Sequence, residues 1–168
     1  MDIALLILRL TVGLLLTGHG AQKLFGWFGG RGLHATAGWL HSIGLRPGRG
    51  WALLGALCEF VGGLLFALGL ASPLGSLGIA ASMLVAITKA HWPKLWNQDG
   101  GFELPFVYLA TVVAVGITGP GAISLDRLFG TALPGSVSMI GVIAILVGWV
   151  AALVISATRP AAAASSAT

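Results

Sequence analysis

Apolar residues along this chain come in long runs separated by short polar or glycine-rich joints, and the length of each run selects its conformation. Five runs reach or approach the roughly 20 residues that a membrane-crossing helix requires. They cover residues 3–24, 50–70, 74–91, 103–119 and 137–156. None shows the period-two alternation of a barrel strand, so all five are predicted helices. The joint between the second and third runs is very short, and Pro73 within it suits the first turn of a helix. Pro120 and Gly121 predict the end of the fourth helix. The closing RPAAAASSAT is small and polar, which predicts a disordered tail over 157–168.

Between the first two runs lies FGWFGGRGLHATAGWLHSIGLRPGRG, too short and too broken by glycine to span. Leu33, Ala37 and Leu40 fall on one helical face with Trp39 beside them. This pattern predicts a helix lying along the membrane surface and ended by GLRPG. Trp27, Trp39, Trp51, Trp92 and Trp96 all stand near the ends of the runs, as an aromatic belt requires. Gly13, Thr17, Gly55, Gly62, Gly63, Gly75 and Gly78 recur inside the runs and allow helix backbones to approach closely. No internal repeat stands out.

Composition agrees with the pattern. Apolar residues make up 57% of the chain, charged residues only 8%, and the mean hydropathy is +0.96. So few charges cannot solvate a globular surface, and an all-α polytopic membrane protein in contact with the lipid bilayer is expected. The opening MDIALLILRLTVGLLLTGHG imitates a signal peptide, but no basic stretch precedes its apolar core and no A-x-A site follows. It is expected to be a retained helix. The net charge of +4 marks cytoplasmic loops and anionic headgroups, with no nucleic-acid partner expected. With alternating helices, Lys23, Arg31, Arg46, Arg49, Lys89, Lys94 and Arg159 share one side. Arg127 stands alone on the other, and Arg9 lies within the first run. The positive-inside rule then places the N-terminus outside and the C-terminus in the cytoplasm.

The polar groups are unevenly placed. The first run ends at TGHGAQKLFG, the third at TKAHW, and the fourth begins at GGFELP, all on the basic side. Glu59 lies about nine residues into the second run from that side, roughly 13 Å deep. An ionisable group at such depth is costly and must face a partner or a wet cavity. His19, Lys23 and Arg9, all on the first helix, are the candidates to neutralise it; His19 and Lys23 are four apart and share a face. Glu59 is either a buried ion pair that sets the register of two helices or the charge of a working pocket. Glu103 opens a helix, where capping by itself is a sufficient role. Lys89, Lys94, Trp92 and Trp96 suit ordinary interfacial duty, as does His91 near the headgroups.

Metal chemistry finds little support. His34 and His41 are seven residues apart, about 10 Å along a helix, too far to chelate one ion. No haem-attachment, flavin or phosphate-loop motif appears, so neither metal nor flavin is expected. Cys58 is the only cysteine, which excludes an intrachain disulfide, and a buried cysteine in lipid is ordinarily a small apolar filler.

Taken together, LLILRLTVGLLLTGHGAQKLFG, CEFVGGLLFALGL, LGLASPLG and HWPKLWNQDGGFELPFVYL resemble the DoxX family of bacterial membrane proteins over residues 1 to about 120. The motif positions are Arg9, Gly18, His19, Gly20, Lys23, Glu59, Gly62, Gly63, Gly100, Gly101 and Glu103. The resemblance implies a four-helix transmembrane bundle over 1–120, followed by a loop and fifth helix over 121–156 and the tail over 157–168. It implies a multi-pass protein of the bacterial inner membrane. It also implies quinone-linked redox chemistry in sulfur or oxidative-stress metabolism, alongside a larger oxidoreductase subunit or soluble partners such as a sulfurtransferase and a superoxide dismutase. In that reading Glu59, His19 and Glu103 are the candidate catalytic groups. Arg9, Lys23, His91 and Trp92 are the candidates to hold the quinone. A non-enzymatic anchor for soluble redox proteins and a small proton-coupled carrier remain the alternatives, and whether the chain is catalytic stays open.

Overall fold

The computed structural model describes residues 1–158, and the expected tail falls largely outside them. The five apolar runs are all helical. Helix α1 covers Asp2–Phe25, α2 Gly32–Ser42 and α3 Gly48–Leu68. Helix α4 covers Leu74–Val85 and continues as a wider π-helical segment, Ala86–His91. After a single 3₁₀ turn at Asn97–Asp99 come α5 (Glu103–Thr118), the one-turn α6 (Leu125–Phe129) and α7 (Gly135–Thr158). The all-α membrane architecture expected from the sequence is the one observed. Four helices are long and apolar enough to cross a bilayer, and α5 is an apolar helix of 16 residues.

Glycines set how closely the helices pack. A Cβ on Gly63 would stand 2.6 Å from the Gly13 carbonyl oxygen, and one on Gly13 would stand 2.7 Å from the Gly63 carbonyl oxygen. The backbones of α1 and α3 therefore touch, which dispersion rewards in a lipid environment where burial itself drives little. Gly75 repeats the arrangement between α4 and Phe66 of α3. Val12, Leu16, Phe66, Ile79, Met83, Val112 and Val115 close the core where α1, α3, α4 and α5 meet. Outward positions such as Leu14, Leu54, Phe106, Ile117 and Val147 are apolar and exposed. That inverts the pattern of a water-soluble protein and suits acyl chains. Of the four long helices α7 is the least covered; it packs on α4, and the Trp149 indole donates to the Thr88 hydroxyl at 3.2 Å.

The sequence did not anticipate α6 or the lock that it forms at the end of the bundle opposite Lys23. Ser124 caps α6 by accepting from the Arg127 amide. The buried Asp126 carboxylate accepts from the Ala71 amide at 2.7 Å, the Ser72 amide at 2.8 Å and the Thr131 hydroxyl at 2.7 Å. Ala71 has a positive φ of 50°, a conformation this clamp holds in place. Burial by itself would raise the Asp126 pKa and is the largest single influence. The Thr131, Ser72 and Ala71 donors together outweigh it and hold the acid below its ordinary value of 3.8.

The sign of the linkage follows. Because the folded pKa lies below the unfolded one, the stabilisation is complete above about pH 4 and is lost as pH falls through the folded value. Wild-type protein should therefore lose thermal stability between pH 5 and 3 beyond what an Asp126→Asn variant loses. At neutral pH that variant should be weaker by about 1.5–3 kcal/mol, since its hydrogen bonds no longer involve a charge. Melting curves of both proteins across this range provide the measurement.

Candidate functional site

Helices α2, α3, α4 and α7 border a partly open chamber of about 470 Å³, with Ala144 and Gly148 exposed on its α7 side. Its floor is Glu59, which is 1% exposed. The Lys23 ammonium donates to both carboxylate oxygens, at 2.5 Å and 2.6 Å, and the Ser82 hydroxyl donates to Oε1 at 2.7 Å. Glu59 thus meets α1 on one side and α4 on the other. Three hydrogen bonds from these two groups compensate a carboxylate withdrawn from water. The Lys23 side chain is 37% exposed, so the pair connects the buried floor with the outside.

The walls are apolar. Ala52, Gly55 and Ala56 come from α3, Val85 from α4, Ala86 from the π-helical segment, and Ala144, Ile145 and Gly148 from α7. Thr36, Trp39, Leu40 and Ile43 of α2 and the following turn cover the chamber, with Trp51 and Trp149 completing an aromatic lining. Lys89 and His91 of the π-helical segment bring polar groups to the same space. The wider π turn sits where these two side chains and the Thr88–Trp149 contact are positioned, a common location for such a turn beside a binding site.

The structure sorts the sequence-based candidates sharply. Lys23, Glu59 and His91 share the chamber. His19 does not: it is exposed, and its ring nitrogen pairs with the Gln22 amide oxygen at 3.2 Å. One turn separates it from Lys23, yet its side chain points away from Glu59. Glu103 is half-buried in the 94–103 loop, where its carboxylate accepts from the Asn97 amide at 3.0 Å. It holds that loop at the start of α5 and does not line the chamber. Trp92 is exposed and stacks on Phe102 at 5.8 Å between ring centroids, also outside the chamber.

Arg9 is the largest correction. It was expected to reach Glu59 from below, but it lies at the opposite end of the bundle and donates from Nη2 to the Ile123 carbonyl at 2.5 Å. The side chain reaches the loop that holds Ile123, away from Lys23. Ser82, the cover supplied by α2 and the wall supplied by α7 were not foreseen. Ser82 is a hydroxyl in the otherwise apolar stretch GIAASMLVAI, and that was the available signal. No comparable signal marked Gly148 or Ala144.

The chamber suits a small apolar molecule with one polar end. Its volume falls within the roughly 300–1,000 Å³ range of small-molecule sites, and its polar groups are few and convergent. The Lys23 ammonium has a third proton beyond the two it gives Glu59, so a ligand oxygen can be held without breaking the pair. Cys58 is half-buried near the α4 backbone at Gly78 and does not line this space.

Comparison with known proteins agrees with the motifs. No curated protein and no solved structure matches the chain. The DoxX family model matches residues 4–92, a little over half of the chain, from α1 through the end of the π-helical segment. The match contains Lys23, Glu59, Ser82 and His91, and stops before Glu103, α5 and α7. With the ion pair and every part of the chamber except its α7 wall lying in the matched region, the chain belongs to the DoxX family of integral membrane proteins.

Proposed function

We propose that the chamber binds the head group of a quinone and that the chain serves as a quinone-linked redox component of a bacterial inner membrane. One observation carries this reading: a charged pair, one partner almost fully buried, forms the floor of an apolar, aromatic-lined space within a membrane bundle. A structural ion pair needs no chamber above it, and a purely lipid-filled gap needs no charge.

Bound quinone supplies a two-electron, two-proton acceptor. The electrons come from a reduced donor outside this chain, of the thiol class, whose oxidation to a disulfide releases two electrons and two protons. The residues of this chain bind, orient and move protons. Trp39, Trp51 and Trp149 offer flat apolar contact to a ring. The spare Lys23 proton offers a hydrogen bond to a carbonyl oxygen. Glu59 exchanges protons between the polar end of the chamber and that oxygen, a role for a carboxylate within reach of both. In this reading the chamber faces the cytoplasmic side, where the basic residues gather. Soluble redox partners then have a cationic surface on which to dock.

The test uses the purified full chain with decylubiquinone as the probe. Tryptophan fluorescence should quench saturably, because three tryptophans line the chamber. Glu59→Gln should insert normally, retain quenching and lower quinone-dependent turnover by at least tenfold, as loss of a general acid–base group does. Unaltered turnover would remove Glu59 from the chemistry, and absence of quenching in the wild type would remove the quinone.

A further inference from the structure

The end of the bundle opposite the chamber holds a second polar site. Arg9 is 1% exposed, and of its guanidinium donors only Nη2 has an acceptor, the Ile123 carbonyl. Nη1 abuts the Gly69 backbone without an acceptor, and Nε has none either. No carboxylate lies within 4 Å of it: among the described residues the one ion pair is Lys23–Glu59. Asp126, in the adjoining loop, already accepts from Ala71, Ser72 and Thr131. A cation removed from water with two donors unused is an expensive arrangement unless something else meets it.

Beside Arg9 lies a small, partly open space of about 20 Å³. Its wall includes Ser72 and Pro73, which lead into the 12-residue helix α4, Gly75 and Ser76 of its first turn, and Gly116 and Gly119 at the end of α5. No side chain caps the start of α4. The first amides of a helix lack intrahelical acceptors and carry the positive end of the helix dipole. The Ser72 amide and hydroxyl are turned to Asp126; a buried guanidinium with unused donors, a helix start without a side-chain cap and the Ser76 hydroxyl border the small space. Every one of these groups favours negative charge.

We propose that this space is a binding site for a single halide ion, chloride under ordinary conditions. Its size admits one water-sized or halide-sized occupant and excludes sulfate or phosphate. Asp126 already acts on Arg9 through its charge; the ion supplies the acceptor that the unused Arg9 donors lack and ties α1, α4 and the end of α5 together, so it acts on stability and takes no part in the chamber's chemistry. A water molecule is the competing occupant. Water supplies oxygen lone pairs but no charge, and the experiment separates the two.

Full-length protein in detergent is melted in sodium chloride, bromide, gluconate and sulfate at equal ionic strength. Chloride and bromide should raise the midpoint by several degrees over gluconate and sulfate, with a saturable concentration dependence as for any ligand of the folded state. Arg9→Gln should remove the difference. Should that variant fail to insert, Ser76→Ala keeps Arg9 and should shift the halide half-saturation to higher concentration by several-fold. Crystals grown in bromide should show an anomalous peak within hydrogen-bonding distance of the Arg9 guanidinium. Equal midpoints in all four salts, a halide effect that survives Arg9→Gln, or a cavity without anomalous signal would each overturn the proposal in favour of water or an empty space.

Discussion

Lys23→Met should lower the thermal midpoint of the detergent-solubilised protein by on the order of 10 °C, and adding Glu59→Gln should restore most of that loss. The single change leaves Glu59, 1% exposed, without the cation that meets both of its oxygens at 2.5 Å and 2.6 Å. Removing one partner of a buried pair costs about 3–5 kcal/mol because the remaining charge is stranded. Lys23 is 37% exposed, which places the cost near the lower end, about 3 kcal/mol. For a chain of this length each kcal/mol moves the midpoint by about 2–4 °C. Glutamine in place of Glu59 removes the stranded charge and keeps the Ser82 hydrogen bond. Equal melting of the single and double variants would mean that the pair is solvated from outside and is not a buried pair at all.

Filling the chamber should abolish ligand binding without harming the fold. Gly55 on α3 and Gly148 on α7 both line it, and a Cβ added at either meets nothing within 4 Å. Gly55→Leu and Gly148→Leu therefore place a side chain into open space. Each should weaken decylubiquinone quenching by tenfold or more, while melting stays level or rises by up to about 1 kcal/mol from better helix propensity. Gly63→Ala is the contrasting control. Its added Cβ would stand 2.6 Å from the Gly13 carbonyl oxygen, so it should destabilise α1 against α3 by about 1–3 kcal/mol. Gly148→Leu also tests α7, which lies beyond the matched family segment. Unchanged quenching in both leucine variants would place the ligand elsewhere.

The Lys23–Glu59 pair was legible in the sequence because Glu59 breaks an apolar run from the side on which Lys23 ends the first one. Few other charges were available to satisfy them. His19 and Arg9 passed the same test of residue type and helix and yet are elsewhere. Depth along a helix follows from the rise per residue, but the direction of a side chain depends on how the helix is rotated against its neighbours. Four residues separate His19 from Lys23, close enough to share a face by periodicity. Only Lys23 is long enough and suitably turned to reach α3. Glu103 shows the same limit, since its carboxylate is taken by a backbone amide six residues earlier, a loop contact that no periodicity predicts.

The number of long apolar helices, their approximate ends and the membrane environment belong to the sequence alone, because apolar run length and the scarcity of charge favour a lipid solvent and helical structure. The covering of the chamber by α2, its α7 wall and the Asp126 clamp were decided only by tertiary structure. So were the separation of Arg9 from Glu59 and the cavity beside Arg9. Each depends on how rods of known length are rotated and brought together, and in lipid that is settled by glycine contacts and polar pairings spread across several helices rather than by the hydrophobic pattern of any one.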